Sequence, residues 1–157
     1  MAAAVHTDDG YKRLTRTVDL TGTTAADRPT LRTQLLWDTE PGYDHAVVEA
    51  HTTGADDWTT LPEAGGATRT TVPSECAAGF YMSEHPWLEH YLTLGDGSCA
   101  ATGTTGAWNS LTGSSSGWQQ VNFDLSAYAG KTVEVSSPMS PTRAAAVTAS
   151  SPTRHRS

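Results

Sequence analysis

Apolar and polar residues alternate most regularly over residues 118–135. The apolar positions are Val121, Phe123 and Leu125 in a first run, and Val133 and Val135 in a second. The positions between them are polar, and a segment rich in small residues separates the two runs. A period of two is typical of a strand that buries one face. The pattern therefore predicts two strands joined by a turn.

The alternation ends at Ser136. The last 22 residues contain no aromatic residue, no acid, no Leu and no Ile. A newly started pair of strands is expected to lead into another strand, so the sequence predicts a sandwich that lacks its last strand. Such a loss would leave an unpaired sheet edge and an uncovered core. We interpret residues 136–157 as a disordered tail that is out of frame after a frameshift near Ser136.

Four shorter strands are predicted before this pair, at residues 13–20, 31–37, 45–52 and 56–61. Their inward positions are expected to be Leu14, Val18 and Leu20, then Leu31, Leu35 and Trp37, then Ala46, Val48 and Ala50. No segment of useful length has the period of a helix, and residues 1–12 are polar and predicted to be frayed. The sequence therefore predicts an all-β fold, a jelly-roll or Greek-key β-sandwich over residues 13–135.

Residues 62–112 form a long segment, rich in Gly and Thr, that contains the two cysteines, Cys76 and Cys99. A loop of this length in a compact domain needs something that ties it down. In a cytosolic protein the two cysteines would be incidental thiols, whereas in an exported protein they would pair. The abundance of Thr, Ser and Gly and the scarcity of Lys favour export, so a disulfide is predicted.

The charge balance excludes one class of partner. The chain has 157 residues, enough for one domain with a hydrophobic core, and a formal net charge of −7. Residues 1–135 hold seven basic and 17 acidic side chains, a net charge of −10. Because nucleic-acid binding needs clustered Lys and Arg, nucleic acid is not expected as a partner.

The sequence also predicts no membrane partner, because no apolar stretch is long enough to span a bilayer. The first residues, Met1–Val5, lack the basic region and the long apolar core of a signal peptide. We therefore expect an extracellular protein whose signal peptide is encoded upstream of this fragment.

Two segments contain residues typical of catalytic motifs, but neither is predicted to be catalytic. Gly113–Gly117 fits the G-x-S-x-G pattern, but that motif lies between a strand and a helix, and here a strand is predicted to follow. His85 and His90 have two glutamates close by, but their spacing matches no zinc peptidase motif, and Pro86 disfavours a helix. We predict no catalytic residue and no zinc ligand.

Two further groups have alternative interpretations. Asp38, Glu40 and Asp44 lie in one turn region, where their oxygens could bind a structural Ca²⁺ or be solvated. No other cofactor is predicted. Trp87 and Trp108 could stack on a sugar ring, or they could be core or loop anchors.

Three blocks together resemble a known family. They are Leu14–Gly22, Trp37–Ala50 running into Trp58–Leu61, and Gly117–Lys131. They resemble the non-catalytic β-sandwich domain that lies C-terminal to the catalytic domain of secreted bacterial zinc carboxypeptidases. A related domain occurs in immune-inhibitor-A-type metallopeptidases. The region around Cys76, Cys99 and Thr102–Trp108 is similar to the carboxypeptidase version in particular.

The resemblance implies an extracellular accessory domain whose partner is the catalytic peptidase domain, and which stabilises the enzyme or positions it on its substrate. It implies no catalytic residue here, because the zinc ligands and the general base of such enzymes lie in that separate domain. The implied structural features are Trp37, Tyr43 and Trp58 in the sandwich, a Cys76–Cys99 disulfide, and Leu125 with Tyr128 around the turn closed by Gly130. The alternative hypothesis is an independent module that binds a glycan or a protein surface.

Overall fold

The computed structural model describes residues 13–138. Its strands are β1 (Arg13–Asp19), β2 (Thr30–Leu35), β3 (Glu49–Thr52), β4 (Thr59–Thr60), β5 (Thr93–Gly95), β6 (Ser98–Ala100), β7 (Gln119–Asp124) and β8 (Thr132–Pro138). The α-helix is α1 (Phe80–Glu84), and the 3-10 helices are Ala25–Asp27, Pro86–His90 and Ser126–Tyr128. The predictions for residues 1–12 and 139–157 fall outside the described residues.

Two antiparallel sheets pack face to face. The first has the strand order β1-β8-β3-β4, and the second pairs β2 with β7. The core between them contains Val48, Ala50, Val133 and Val135 from the first sheet and Leu31, Leu35, Val121 and Phe123 from the second. The predicted all-β class and the predicted inward positions of β7 and β8 are confirmed. A jelly-roll or Greek-key connection stays a prediction.

Strand β8 continues past the end of the alternating pattern. It pairs with β1 as far as Pro138 and with β3 as far as Ser136. Ser136 is fully buried, and its hydroxyl lies 2.8 Å from the hydroxyl of Thr15 on the neighbouring strand. Such a cross-strand hydroxyl pair stabilises a sheet. The domain boundary predicted after Val135 therefore falls inside β8, three residues before the strand ends.

Two residues expected inside the sandwich are largely exposed. Leu14, predicted to face inward on β1, is 38% exposed, and Tyr43 is 47% exposed. Tyr43 lies in a turn in which its N–H donates to the carbonyl of Glu40, 3.1 Å away. Tyr43 is therefore not a core residue.

Strand β3 buries both of its faces, which its alternating sequence does not indicate. Ala50 packs in the core between the sheets, whereas Val47, just before β3, packs in a second core with Trp108 and Tyr91. Residues 62–112, the covering segment, lie over this second face. They form α1, a 3-10 helix and the β5–β6 hairpin. The Cys76–Cys99 disulfide is present and ties the segment together. The segment that the sequence indicates as one long loop therefore contains short helices and a hairpin.

Gly103 permits a close contact in this covering segment. A Cβ at Gly103 would lie 2.3 Å from the backbone nitrogen of Tyr91, and the backbone has no room to give. We expect Gly103→Ala to lower the free energy of unfolding by about 3 kcal/mol, the upper end of typical overpacking costs. Urea denaturation checks this, with the exposed neighbour Thr102→Ala as the control. Equal stability of the two variants would contradict the packing described.

Candidate functional site

A buried polar cluster is built around Glu49, at the start of β3. The side chain is fully buried. Its Oε1 accepts hydrogen bonds from the Tyr91 hydroxyl at 2.7 Å and from the Trp87 indole N–H at 3.2 Å. Its Oε2 accepts one from Arg13 Nε at 2.8 Å, and a second Arg13 nitrogen donates to Oε1 at 3.2 Å. The buried carboxylate is therefore both neutralised and hydrogen-bonded, as burial of a charge requires.

Aromatic rings enclose the Arg13 guanidinium. Its carbon lies 4.2 Å from the Trp87 ring centroid and 4.9 Å from that of Trp58, close enough for cation–π attraction. The two indoles meet edge to face, with centroids 5.0 Å apart. Trp58 also stacks on His51 at 3.7 Å. β1, β3 and the covering segment are thus linked through one set of contacts.

Two histidines at the border of this cluster are held by hydrogen bonds. Both ring nitrogens of His51 face acceptors, the Ala55 carbonyl at 2.8 Å and a Glu134 carboxylate oxygen at 2.7 Å. His90 Nδ1 lies 2.9 Å from the Thr105 hydroxyl, and its ring packs against Trp87. These contacts fix both rings in place. Together with Glu49 and Arg13, they link β1, β3 and the covering segment.

The two predicted sugar-stacking aromatics do not form a platform. Trp108 is 1% exposed and packs in the second core, so its proposed stacking role is wrong. Its indole N–H donates to the Thr71 carbonyl at 3.0 Å, which fixes the ring inside. Trp87 is half-buried, and Arg13, Trp58 and His90 lie against it. The structure does not bring Trp87 and Trp108 together as an open surface.

The turn that holds Asp38, Glu40 and Asp44 is fixed by protein hydrogen bonds. The Thr112 hydroxyl lies 2.9 Å from the Asp44 carbonyl and accepts from the Gly42 N–H at 2.9 Å. Over residues 13–138 no group of three or more His, Cys, Asp or Glu side chains could hold a metal ion, and the three carboxylates form no such group. Calcium at this turn stays a prediction.

The formal G-x-S-x-G motif is a structural loop. The hydroxyl of its central residue, Ser115, donates toward the carbonyls of Gly117 at 2.7 Å and Trp37 at 3.1 Å. It also accepts from the Trp37 N–H at 3.1 Å. Strand β7 follows the motif, whereas a nucleophile elbow would lead into a helix.

His45 is a half-buried titratable group outside this cluster. Its Nδ1 lies 2.8 Å from the Ser110 hydroxyl, and its buried Nε2 has no hydrogen-bond partner among the described residues. Burial lowers the pKa of His45, against smaller opposing effects of the Gly42 carbonyl and the Asp44 charge. The folded protein therefore disfavours the charged ring.

This shift predicts a pH dependence of stability. A histidine whose folded pKa is lowered contributes its full stability above about pH 6.5, the ordinary value, and loses it as the pH falls below that. We expect the melting temperature to fall between pH 7 and pH 5. In His45→Gln, which keeps a polar group near Ser110 but cannot titrate, the fall should be smaller. Thermal unfolding at several pH values checks this, and equal slopes would contradict it.

A shallow cleft of about 430 Å³ lies beside β7, on the side of the strand away from β2. Its lining includes Trp37, the amides Gln119, Gln120 and Asn122, and the hydroxyls Ser114 and Ser115. The Asn122 backbone carbonyl accepts from the Ala64 N–H at 2.8 Å, on this side of the strand. Because residues two apart in a strand point the same way, the backbone of Gln120 also faces the cleft. Glu63 also lines the cleft, but its carboxylate accepts hydrogen bonds from the backbone N–H groups of Gly65, Ala67 and Asn122. The remaining aromatic, amide and hydroxyl groups are suited to a neutral polar ligand.

No family model matches the chain, and neither a curated protein nor a solved structure is significantly similar to it. Over residues 13–138, no helix has the length and apolar character needed to cross a membrane.

Sequence reasoning missed two features. They are the polar cluster around Glu49 and the cleft beside β7 that Trp37 lines, the Trp37 cleft. The residue types give one weak signal for the cluster, since His85–Tyr91 gathers aromatic and polar residues inside the segment that the cysteines bracket. Glu49 itself gives none, because a glutamate at the outward position of an alternating strand is ordinarily solvated.

Proposed function

We propose that this chain is a non-catalytic β-sandwich module of a secreted zinc metallocarboxypeptidase. Its role is to stabilise that enzyme or to position it on its substrate. The peptidase association comes from the resemblance of residues 13–135 to accessory domains of that class. A disulfide is the usual state of paired cysteines in an oxidising compartment, which supports an extracellular location.

The closed hydrogen-bond network around Glu49 is the observation that supports a non-catalytic role for this chain. Three different side chains donate to its carboxylate, and Arg13 is covered by two indole rings. A general acid, base or metal ligand must reach a substrate or an ion. Glu49 instead joins β3 to β1 and to the covering segment, as expected of a module whose polar core maintains a shape.

The proposal is tested by calorimetric titration of the chain with the catalytic domain of a secreted bacterial zinc carboxypeptidase. Saturable binding is expected. The same chain, loaded with Zn²⁺, is expected not to release C-terminal residues from peptides. Zinc-dependent release by the isolated chain would overturn the non-catalytic assignment, and absence of binding to catalytic domains of the class would overturn the peptidase association.

The Trp37 cleft favours a second candidate, an independent carbohydrate-binding module. Titration with a panel of neutral polysaccharides tests it, and Gln120→Ala should weaken any binding because Gln120 lines the cleft. Gln34→Ala is the matched control, since Gln34 is the cross-strand neighbour of Gln120, is exposed, and does not line the cleft. Equal effects of the two variants, or no binding at all, would exclude this cleft as a sugar site.

A further inference from the structure

An apolar groove of about 240 Å³ opens between β1 and β2. Its lining includes the apolar side chains Leu14, Val18, Leu31, Leu35, Val48 and Val135. Several of these belong to the core between the two sheets, so the groove is an opening into that core. Cores of native proteins are otherwise closely packed, with few voids larger than a water molecule.

The groove follows from an unequal number of strands in the two sheets. The first sheet has four strands, and the second pairs only β2 with β7. Among the described residues, β1 and β2 are both edge strands, so backbone groups on one side of each are open for pairing. Leu14 is 38% exposed because no described strand of the second sheet covers it.

Two polar groups in the groove define what could fill it. The Thr33 hydroxyl of β2 is buried and has no hydrogen-bond partner among the described residues. Arg16 lies on the same face of β1 as Leu14 and Val18, because residues two apart in a strand share a face. Its side chain lines the groove and is exposed. No carboxylate of residues 13–138 forms an ion pair with Arg16. An occupant with apolar side chains, polar backbone groups and a carboxylate would satisfy all of these positions.

The sequences of residues 1–12 and 139–157 do not have the pattern of such a strand. β8 ends at Pro138, and Ser137 lines the groove. Beyond β8, Met139 and Val147 are the only residues among Val, Leu, Ile, Met, Phe, Tyr and Trp. Before β1, residues 1–12 contain only Met1, Val5 and Tyr11 of that set. Neither end has two large apolar residues spaced two apart, as a strand that fills the groove needs.

We propose that this groove binds an extended β-strand of another polypeptide. That strand pairs with the free edge of β2, places large apolar side chains at alternate positions over the core, and carries a carboxylate that reaches Arg16. This mode of binding is strand addition to an exposed sheet edge, in which the main chain gives affinity and alternate side chains give specificity. The four residue steps from Leu14 to Val18 span roughly 13 Å at ~3.3 Å each, which matches a short strand. The inference does not depend on the peptidase association.

The test uses two fluorescein-labelled peptides and the full chain of 157 residues. One peptide is Thr-Val-Thr-Leu-Thr-Val-Asp-Asp, and the other has two lysines in place of the aspartates. Fluorescence anisotropy is expected to show saturable binding of the aspartate peptide, with a Kd about tenfold lower than that of the lysine peptide. Because the protein is acidic, non-specific attraction would favour the lysine peptide instead.

Charge variants locate the binding. Arg16→Glu should reverse the preference between the two peptides, and Arg16→Gln should abolish it. Arg32→Glu is the matched control, because Arg32 is exposed on β2 and does not line the groove. Circular dichroism confirms that each variant is folded. The proposal is overturned if neither peptide binds saturably, if both bind wild type equally, or if Arg32→Glu changes the preference as much as Arg16→Glu does.

Discussion

Replacing Glu49 with glutamine is expected to lower the free energy of unfolding by about 3–5 kcal/mol, the usual cost of removing one partner of a buried ion pair. The substitution keeps the shape but removes the charge that the Arg13 guanidinium faces. It also places an N–H₂ group among the donors of Arg13, Trp87 and Tyr91, where only acceptors fit.

Urea denaturation measures this loss, and a decrease in melting temperature on the order of 10 °C should accompany it. Asp38→Asn is the control, because it makes the same chemical change at an exposed carboxylate. We expect its stability to stay close to that of the wild type. If Glu49→Gln were as stable as Asp38→Asn, the carboxylate would not hold the fold together, and a functional role for it would have to be reconsidered.

Removing the disulfide with Cys76→Ser and Cys99→Ser together is expected to cost about 3 kcal/mol. The crosslink closes a loop with a sequence separation of 23 residues, and the chain-entropy model assigns that value to loops of this size. Cys76 is also fully buried, so a serine there needs a new hydrogen-bond partner in the second core.

Thermal unfolding with and without a reductant checks the effect of the disulfide. The wild type should lose stability on reduction, whereas the double variant should melt at one temperature in both conditions. A wild type that is insensitive to complete reduction would show that the covering segment is held by packing alone.

The sandwich between the two sheets could largely be predicted from the sequence. Val121, Phe123, Val133 and Val135 follow a period of two, and all four are buried. This pattern is informative because a strand with one solvated face must alternate. Where both faces of a strand are buried, alternation no longer indicates which side chains are inside. Around β3, the alternating positions Ala46, Val48 and Ala50 indicate one inner face, but the covering segment buries Val47 and Glu49 as well.

The covering segment itself could not be predicted, because its structure depends on contacts between residues distant in sequence. Gly103 lies against the backbone of Tyr91, and the Tyr91 hydroxyl bonds to Glu49, 42 positions away. Neither contact produces a local pattern in the sequence that would predict it. The position of an aromatic residue relative to solvent is equally non-local, which is why the sequence left both a sugar-stacking and a core position open for Trp108, and the structure places it in the core.

The central claim is that the polar cluster around Glu49 stabilises the fold, with no part in catalysis. A double-mutant cycle between Arg13→Met and Glu49→Gln, measured by urea denaturation, tests it most directly. Residues in direct contact within one network typically show a coupling of about 0.5–3 kcal/mol, and we predict a stabilising coupling at the upper end of that range. Additive effects of the two substitutions, with a coupling near zero, would contradict the claim.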